Sequence, residues 1–182
     1  MYTAAYGIRG VDLTSSNITL IGMAGVGKTV IGRELARRVG YAFIEIDEII
    51  EKVTGRSLQE TLDNLGAEEF LRIEEKAVLH LGELKRSVIS PGGSIVYSEG
   101  AMRFLRDNST IVFLNTPFAN IEKRLANKDT RGIVGLKGKG LRLLFEERLF
   151  LYRKYADIVI EISETDGIDA VVNEIIRRVV KR

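Results

Sequence analysis

Cysteine and tryptophan are absent from the 182-residue chain, which also has two prolines and one histidine. Without cysteine there is no thiolate nucleophile, no disulfide framework and no cysteine-ligated zinc. The single histidine, His80, excludes a multi-histidine metal site and argues against a histidine general base. Its neighbours Leu79 and Leu81 favour an ordinary helix position for it.

The chain also lacks an excess of charge and a long apolar segment. Its net charge of +2 gives no reason to expect a nucleic-acid or membrane partner. No apolar run approaches the roughly 20 residues of a membrane span, and residues 1–16 contain no hydrophobic signal core. We therefore predict a loose leader over residues 1–16, one globular domain over residues 17–182, and a cytoplasmic location.

The stretch Gly22–Thr29 (GMAGVGKT) fits the phosphate-binding pattern G-x-x-x-x-G-K-[ST]. The apolar run Ile18–Ile21 precedes it and a helical pattern follows it, which is the strand–loop–helix setting that this motif requires. An ordinary glycine-rich turn is the alternative, but it leaves Lys28 opposing a helix dipole unless an anion is bound. We predict a nucleoside triphosphate site. Its predicted nucleotide-binding residues are Gly25, Val26, Gly27, Lys28 and Thr29 of this stretch, and Val30 directly after it.

Five apolar, β-rich runs alternate with helical stretches along the chain, which predicts a parallel sheet with helices on both faces. The runs are Ile18–Met23, Ala42–Ile46, Ser87–Ser90, Thr110–Asn115 and Asp157–Ile162. A final helix is predicted from one apolar stripe, formed by Ile168, Val171, Val172, Ile175, Ile176 and Val179. Basic residues near its end are expected to face water.

Two segments between the strands are candidates for the rest of a site. Residues 47–84 are predicted to be a helical insertion: Asp47 opens one helix, Ser57–Glu60 forms a capping box for a second, and Ala67–Leu84 forms a third. An insertion beyond the strand ends is placed to form an acceptor site. Residues 127–140 are rich in glycine and lysine and have no helical or strand period. We interpret them as a mobile lid that excludes water, the alternative being a solvated surface loop.

With these motifs, the chain resembles the shikimate kinase family from about Ile18 to Ile162. The matching pieces beyond the phosphate-binding loop are Glu45–Asp47, Thr54–Ser57, Gly66–Glu74, Gly92-Gly93, Arg124 with Arg131, and Glu147-Arg148 ending at Tyr152. The resemblance implies an α/β, three-layer P-loop kinase fold with a five-stranded parallel sheet, a lid and a substrate-binding helical insertion. It also implies ATP, Mg²⁺, a small cyclic polyol acid as acceptor, and a place in aromatic amino acid biosynthesis.

On the acceptor side, the resemblance assigns roles by position. Asp47 matches the carboxylate that contacts the acceptor hydroxyls and can take the proton, and Gly92-Gly93 match a turn whose N–H groups meet the substrate. Arg148 matches an arginine that holds the substrate carboxylate. Two simpler interpretations stand beside these: Asp47 as a plain helix N-cap, and Arg148 as a solvated helix residue.

On the donor side, Lys28 is expected at the β- and γ-phosphates and the Thr29 hydroxyl at Mg²⁺. Arg131 matches the lid arginine that stabilises charge on the transferring phosphoryl group, and Arg124 matches one that packs on the adenine. Glu45 stands where the family has an aspartate whose water bridges to Mg²⁺. The residues with predicted catalytic roles are Lys28, Asp47 and Arg131.

The departures from the family pattern concentrate on the acceptor side. Leu71 follows Phe70 where the family has an arginine that binds the substrate carboxylate, and Ser94 stands where the family has a third glycine. Arg72 comes next, but one helical step rotates a side chain by about 100°, so we expect no replacement from it. One lost charge-assisted hydrogen bond costs about 1.5–3 kcal/mol, or roughly ten- to a hundredfold in binding.

These observations leave three functional hypotheses. The first is a monomeric, ATP-dependent kinase that transfers the γ-phosphoryl group to a hydroxyl of a small polyol, with shikimate (giving shikimate 3-phosphate) as the first candidate acceptor. The second is a kinase of a related hydroxylated metabolite that lacks the carboxylate. The third is a catalytically silent ATP-binding relative that acts as a regulatory module.

Overall fold

Five parallel strands form one sheet in the order β2-β3-β1-β4-β5. The structure, a computed structural model, describes residues 17–126 and 132–180. The strands are β1 (Asn17–Ile21), β2 (Ala42–Glu45), β3 (Ser87–Ser90), β4 (Ser109–Asn115) and β5 (Ile158–Glu161). The predicted five-stranded parallel sheet is confirmed, with strand ends displaced by at most two residues. The predicted leader, residues 1–16, lies outside the described residues.

The helices follow the strands in the alternating order expected of a parallel sheet. They are α1 (Lys28–Val39), α2 (Ile46–Thr54), α3 (Leu58–Leu79), α4 (Glu99–Asn108), α5 (Phe118–Ala126), α6 (Leu136–Lys139), α7 (Leu141–Tyr155) and α8 (Ile168–Val180), with a 3₁₀ turn at Ile95–Tyr97. Within residues 17–126 and 132–180, none of them is both long enough and apolar enough to cross a membrane.

Helices α1 and α7 cover opposite faces of the sheet. On one face, Gly32 of α1 packs so closely that a Cβ there would lie 3.2 Å from Leu20 Cδ1 of β1. On the other, Phe113 of β4 stacks on Tyr152 of α7 with ring centroids 5.1 Å apart. Phe113 pairs with Ile21, the neighbour of Leu20, and successive strand residues point to opposite faces. The three-layer arrangement is thereby confirmed.

The helical insertion contains α2 and α3. The predicted capping box is confirmed: the Ser57 N–H donates to Glu60 Oε2 at 2.9 Å, and the Glu60 N–H donates to Ser57 Oγ at 3.3 Å. Helix α3 is interrupted at Gly66, whose φ of 78° and ψ of 170° are not helical, so its two halves match the second and third predicted helices. The third was predicted too long, because α3 ends at Leu79 and not at Leu84.

The predicted lid contains more regular structure than its composition suggested. The expectation of no helix is wrong over Leu136–Lys139, which form α6 between Gly135 and Gly140. Both flanking glycines have positive φ, and this lets the chain turn sharply on each side of a very short helix. Residues 127–131 of the predicted lid lie outside the described part of the chain.

The last helix confirms its predicted apolar stripe. Its buried residues are Val171, Val172, Ile175, Ile176 and Val179. Ile168, the first residue of the helix, departs from the stripe because 44% of it is exposed. Arg177 and Arg178 both pair with the Glu174 carboxylate on the solvent side, as expected of basic residues that face water.

Candidate active site

One cavity of about 420 Å³ lies at the carboxyl ends of the strands, where a ligand site of an open α/β sheet is expected. The phosphate-binding loop, the start of α2, the middle of α3, the turn after β3 and α7 all contribute to its wall. The predicted site residues that line it are Gly25, Gly27, Lys28, Thr29, Val30, Glu45, Asp47, Gly92, Gly93 and Arg148. Residues predicted from separate motifs are thus brought together around one space.

The phosphate-binding loop connects the buried end of β1 to the first turn of α1. Gly22 allows it to pass close to β4, because a Cβ there would lie 2.7 Å from the Leu114 carbonyl oxygen. Gly27 is the N-cap of α1 and no side chain caps this helix, whose first residues Lys28 and Thr29 line the cavity, so an anion bound there would meet the uncapped start of the helix.

Lys28 is held by the loop itself. Its Nζ donates to the carbonyl oxygen of Gly22 at 2.9 Å and, at 3.4 Å, to that of Met23. Burial lowers the pKa of the Lys28 ammonium, while Asp47 and Glu45 oppose that shift. A partly buried cation whose hydrogen-bond partners are carbonyl oxygens can exchange them for a stronger anionic ligand.

Two predicted nucleotide-binding residues lie elsewhere. The Val26 side chain is buried in the core, and its N–H, which the loop motif assigns to phosphate, donates to Met23 O at 3.1 Å. Arg124 does not line the cavity, but its Nη1 donates to the carbonyl oxygens of Gly25 and Val26 at 3.2 and 3.1 Å. It therefore braces the outer side of the loop. Arg131 lies outside the described residues, and its neighbour Gly132 lines the cavity.

Glu45 and Asp47 approach the loop from the junction of β2 and α2. The N-cap of α2 is Glu45, so the interpretation of Asp47 as an N-cap is wrong: Asp47 lies in the first turn. Glu45 is 8% exposed, and no donor among the described residues reaches its Oε2.

Glu45 and the exposed Thr29 line the same cavity, and Mg²⁺ prefers carboxylate and hydroxyl oxygens of this kind as ligands. The two residues therefore fit the predicted metal. No group of three or more acidic or histidine side chains that could hold a metal occurs in residues 17–126 and 132–180. A bound Mg²⁺ would accordingly need phosphate and water oxygens for most of its coordination.

Arg148 is one of the largest fully buried side chains of the protein, with 1% of its surface exposed. Its Nη2 donates to the Val134 carbonyl oxygen at 2.8 Å, and its guanidinium lies 5.2 Å from the centre of the Tyr97 ring. The simpler interpretation of a solvated helix residue is therefore wrong. Its Nη1 points towards the cavity wall, 3.2 Å from where a Cβ of Gly93 would stand.

Glu74 is the last residue of the stretch Gly66–Glu74 that matches the family, but no site role was predicted for it. It lines the cavity, it is 1% exposed, and its Oε2 accepts a 2.7 Å hydrogen bond from Ser94 Oγ. Burial raises the pKa of this carboxyl to about 7 and the nearby Asp47 adds to the shift, whereas the bond from Ser94 opposes it. The available signal was its position one helical turn from Phe70 and from Val78, on the buried stripe of α3.

As predicted, Arg72 does not take the place of the arginine that the family has at position 71. Arg72 points to solvent, 60% exposed, and pairs with Glu68 at 2.7 Å and Glu69 at 3.3 Å. Leu71 is partly buried and is not part of the cavity wall. Arg148 and Lys28 are consequently the cations among the described residues that line the cavity.

Comparison with known proteins agrees with this geometry. The shikimate kinase family profile matches residues 24–180. A shikimate kinase from Caldanaerobacter subterraneus is 34% identical over 91% of this chain and 96% of its own length. One from Nostoc punctiforme is 36% identical over 90% of this chain and 91% of its own length.

A solved structure gives the same picture. The shikimate kinase from Acinetobacter baumannii in complex with shikimate superposes with a TM-score of 0.84 and 28% identity, covering 93% of this chain and 96% of that one. The family profile thus matches most of the chain, and relatives named as shikimate kinases are more than 30% identical to it. The chain belongs to the shikimate kinase family.

Proposed function

We propose that this protein transfers the γ-phosphoryl group of ATP to a hydroxyl of shikimate, giving shikimate 3-phosphate. The observation that carries the proposal is that the phosphate-binding loop, Asp47 and the buried Arg148 line the same cavity. A donor site alone would serve any nucleoside triphosphatase. A hydroxylated acid also needs a carboxylate that accepts from its hydroxyl and a guanidinium that binds its carboxylate. Asp47 and Arg148 supply these two groups.

In the donor half, the N–H groups at the start of α1 and the Lys28 ammonium bind the phosphates. Lys28 exchanges its carbonyl partners for phosphate oxygens, which are stronger acceptors for a partly buried cation. Thr29 and, through water, Glu45 would hold Mg²⁺, which would supply neutralisation of the charge on the β- and γ-phosphates. Arg124 keeps the loop in place beside the adenine, and Arg131 from the lid stabilises charge on the phosphoryl group.

In the acceptor half, Asp47 orients the attacking hydroxyl and takes its proton as the bond to phosphorus forms. Arg148 binds the acceptor carboxylate, and its fixed partners Val134 and Tyr97 hold the guanidinium in one orientation. The N–H groups of Gly92 and Gly93 contact the acceptor from the turn after β3. Positioning and electrostatic stabilisation carry phosphoryl transfer, since the protein forms no covalent intermediate.

The test is ADP release with and without shikimate. Shikimate should stimulate ATP consumption by the native chain, and Asp47→Asn should abolish the stimulated rate while leaving the affinity for ATP nearly unchanged. The matched control is Glu48→Gln, because Glu48 is adjacent and 63% exposed. Turnover that survives Asp47→Asn would reject Asp47 as the base, and no stimulation by shikimate with ATP still bound would reject shikimate.

Leu71 favours a second candidate acceptor. Because it brings no guanidinium to the cavity, an acceptor without a carboxylate would lose less here than in a pocket with two arginines. A panel of small polyols, sugars and amino alcohols, scored by ADP release against shikimate, separates these acceptors. No turnover on the whole panel would favour a silent nucleotide-binding module.

We further infer a monomer in the cytoplasm, with a small-molecule substrate and no nucleic-acid or membrane partner. A metabolic kinase whose site is complete within one chain needs no second subunit for its chemistry. Light scattering in solution measures the mass directly, and a dimer would reject the monomer.

A further inference from the structure

The buried guanidinium of Arg148 is contacted by neutral groups. Its Nη2 donates to the Val134 carbonyl oxygen at 2.8 Å, and its Nε donates to the Tyr97 hydroxyl in a longer bond of 3.4 Å. Neutral partners leave the positive charge available to an acceptor carboxylate. The direction in which they hold the guanidinium then decides how well that carboxylate can bind, because the best pairs between arginine and carboxylate need a fixed planar geometry.

Tyr97 contacts this guanidinium in two ways. It ends the 3₁₀ turn that follows the Gly92-Gly93 turn, and its side chain is half-buried. The guanidinium carbon lies 5.2 Å from the centre of the aromatic ring, within the range of a cation–π contact, and the hydroxyl accepts the bond from Nε. Tyr97 does not line the cavity, so any influence on an acceptor passes through Arg148.

The Tyr97 hydroxyl has a second charged neighbour, Glu147, which in turn pairs with a lysine of α6. Lys139 Nζ donates to Glu147 Oε2 at 2.5 Å. This bond lowers the pKa of the Glu147 carboxyl, and a hydrogen bond with Tyr97 adds to the shift. Burial raises the pKa of the Tyr97 phenol; the bond from Arg148 opposes that shift, and the bond with Glu147 adds to it.

These opposite effects define the orientation of the hydroxyl. A tyrosine hydroxyl has one hydrogen to donate and lone pairs with which to accept. Donation to the Glu147 carboxylate favours the neutral phenol, and acceptance from the Arg148 guanidinium disfavours it. The carboxylate therefore takes the hydrogen, and a lone pair is directed to Nε of Arg148. Lys139, the last residue of α6, holds that carboxylate in place.

We propose that Lys139, Glu147 and Tyr97 form a positioning relay that orients the Arg148 guanidinium for the acceptor carboxylate, so that acceptor affinity depends on the contact between α6 and α7. This inference rests on the proposed function and deepens it. The three residues of the relay do not line the cavity, so they act through Arg148. With leucine at position 71, Arg148 is the arginine among the described residues that lines the cavity, which increases the importance of its orientation.

The relay can be tested by single and double substitutions with shikimate as acceptor. Tyr97→Phe removes the hydroxyl, and Tyr97→Leu removes the ring as well. Glu147→Met and Lys139→Met remove the outer members, and Glu147→Gln restores an acceptor for the hydroxyl. The matched controls are Glu146→Met, at the exposed neighbouring position, and Tyr155→Phe, at the end of α7 and away from the cavity. Formation of shikimate 3-phosphate gives kcat and both KM values.

The losses should be graded along the relay and should fall on the KM for shikimate, with the KM for ATP unchanged. We expect about tenfold or more for Tyr97→Leu, roughly threefold for Tyr97→Phe and Glu147→Met, and about twofold for Lys139→Met, whose ion pair is partly exposed. Glu147→Gln should recover part of the loss. In the Tyr97→Phe background, Glu147→Met should cost nothing further, because the hydroxyl through which it acts is gone.

A second measurement addresses the carboxylate itself. The primary amide of shikimic acid keeps the ring hydroxyls and lacks the negative charge. As a competitor of shikimate, it should have nearly the same inhibition constant in the native chain, in Tyr97→Phe and in Tyr97→Leu. The controls at positions 146 and 155 should behave as the native chain with both compounds.

Two results would overturn the inference. One is additive losses from Tyr97→Phe and Glu147→Met. The other is an inhibition constant for the amide that rises in parallel with the KM for shikimate, since that indicates a general disturbance of the site. If Tyr97→Leu does not fold, Tyr97→Phe carries the same comparison. Absence of shikimate-stimulated ATP consumption in the native chain would reject the proposed function, whereas an active native chain with additive effects would reject only the relay.

Discussion

The pH dependence of stability offers a test of the buried carboxyl group that needs no ligand. The pKa of Glu74 is raised to about 7 in the folded protein, from an ordinary value of 4.5. The folded state therefore holds this proton at pH values where the unfolded state has released it, so stability falls as pH rises through this window. With 1.36 kcal/mol per pKa unit, the full loss between pH 4.5 and the region above pH 7 is about 3 kcal/mol.

Glu74→Gln removes this ionisation while keeping the size and the hydrogen-bonding capacity of the side chain. We expect the free energy of unfolding of the native chain, measured by urea titration with circular dichroism, to decline relative to Glu74→Gln between pH 5 and pH 8. The exposed Glu68→Gln variant is the control and should follow the native chain. Parallel profiles for the native chain and Glu74→Gln would refute the reasoning, since they would mean that the folded protein does not perturb this carboxyl group.

Two further substitutions probe the same wall of the cavity. Gly92→Ala should lower shikimate-dependent turnover at least tenfold in an ADP-release assay, because its Cβ would displace the carboxyl groups of Glu74 and Asp47. Gly167→Ala, with open space around it and outside the lid, is the control. Equal activity of the two variants would contradict the close packing. Leu71→Arg should lower the pKa of Glu74 towards its ordinary value and flatten the pH dependence of stability, because a guanidinium on the same helix face favours the ionised carboxylate. An unchanged pH dependence would show that position 71 does not reach the carboxyl group.

The sheet and the position of the phosphate-binding loop between β1 and α1 were predictable because their signals are local in the chain. Each strand is a short apolar run, and the loop Gly22–Thr29 carries its glycines, lysine and hydroxyl within eight residues. The capping box at Ser57 likewise needs only four consecutive residues. Local patterns of this kind survive in the folded protein because neighbours in sequence are neighbours in space.

The part of the cavity that Arg148 and Glu74 line was less predictable, because the burial of these two side chains depends on partners that are distant in the chain. In the sequence, Arg148 is one charged residue among others in a charged helix. Only the structure shows its contacts with the Val134 carbonyl and the Tyr97 ring. Glu74 lies 20 residues from Ser94, the group that holds it. The helix of Leu136–Lys139 was missed because four residues between two glycines are too few to display a period.

The break at Gly66 has a consequence for how the two ends of the cavity can move. The half of α3 before the break holds the segment that begins at Gly132: the Gly132 N–H donates to Gln59 Oε1 at 2.9 Å, and Lys137 pairs with Asp63 at 2.8 Å. The half after the break carries the carboxyl group of Glu74. A hinge at one glycine would let the first half travel with that segment while the second half stays fixed on the core. If so, the predicted shielding of ATP from water and the predicted binding of the acceptor would depend on different halves of one helix, and the conformational freedom of Gly66 would set how far the first half could move without displacing the second.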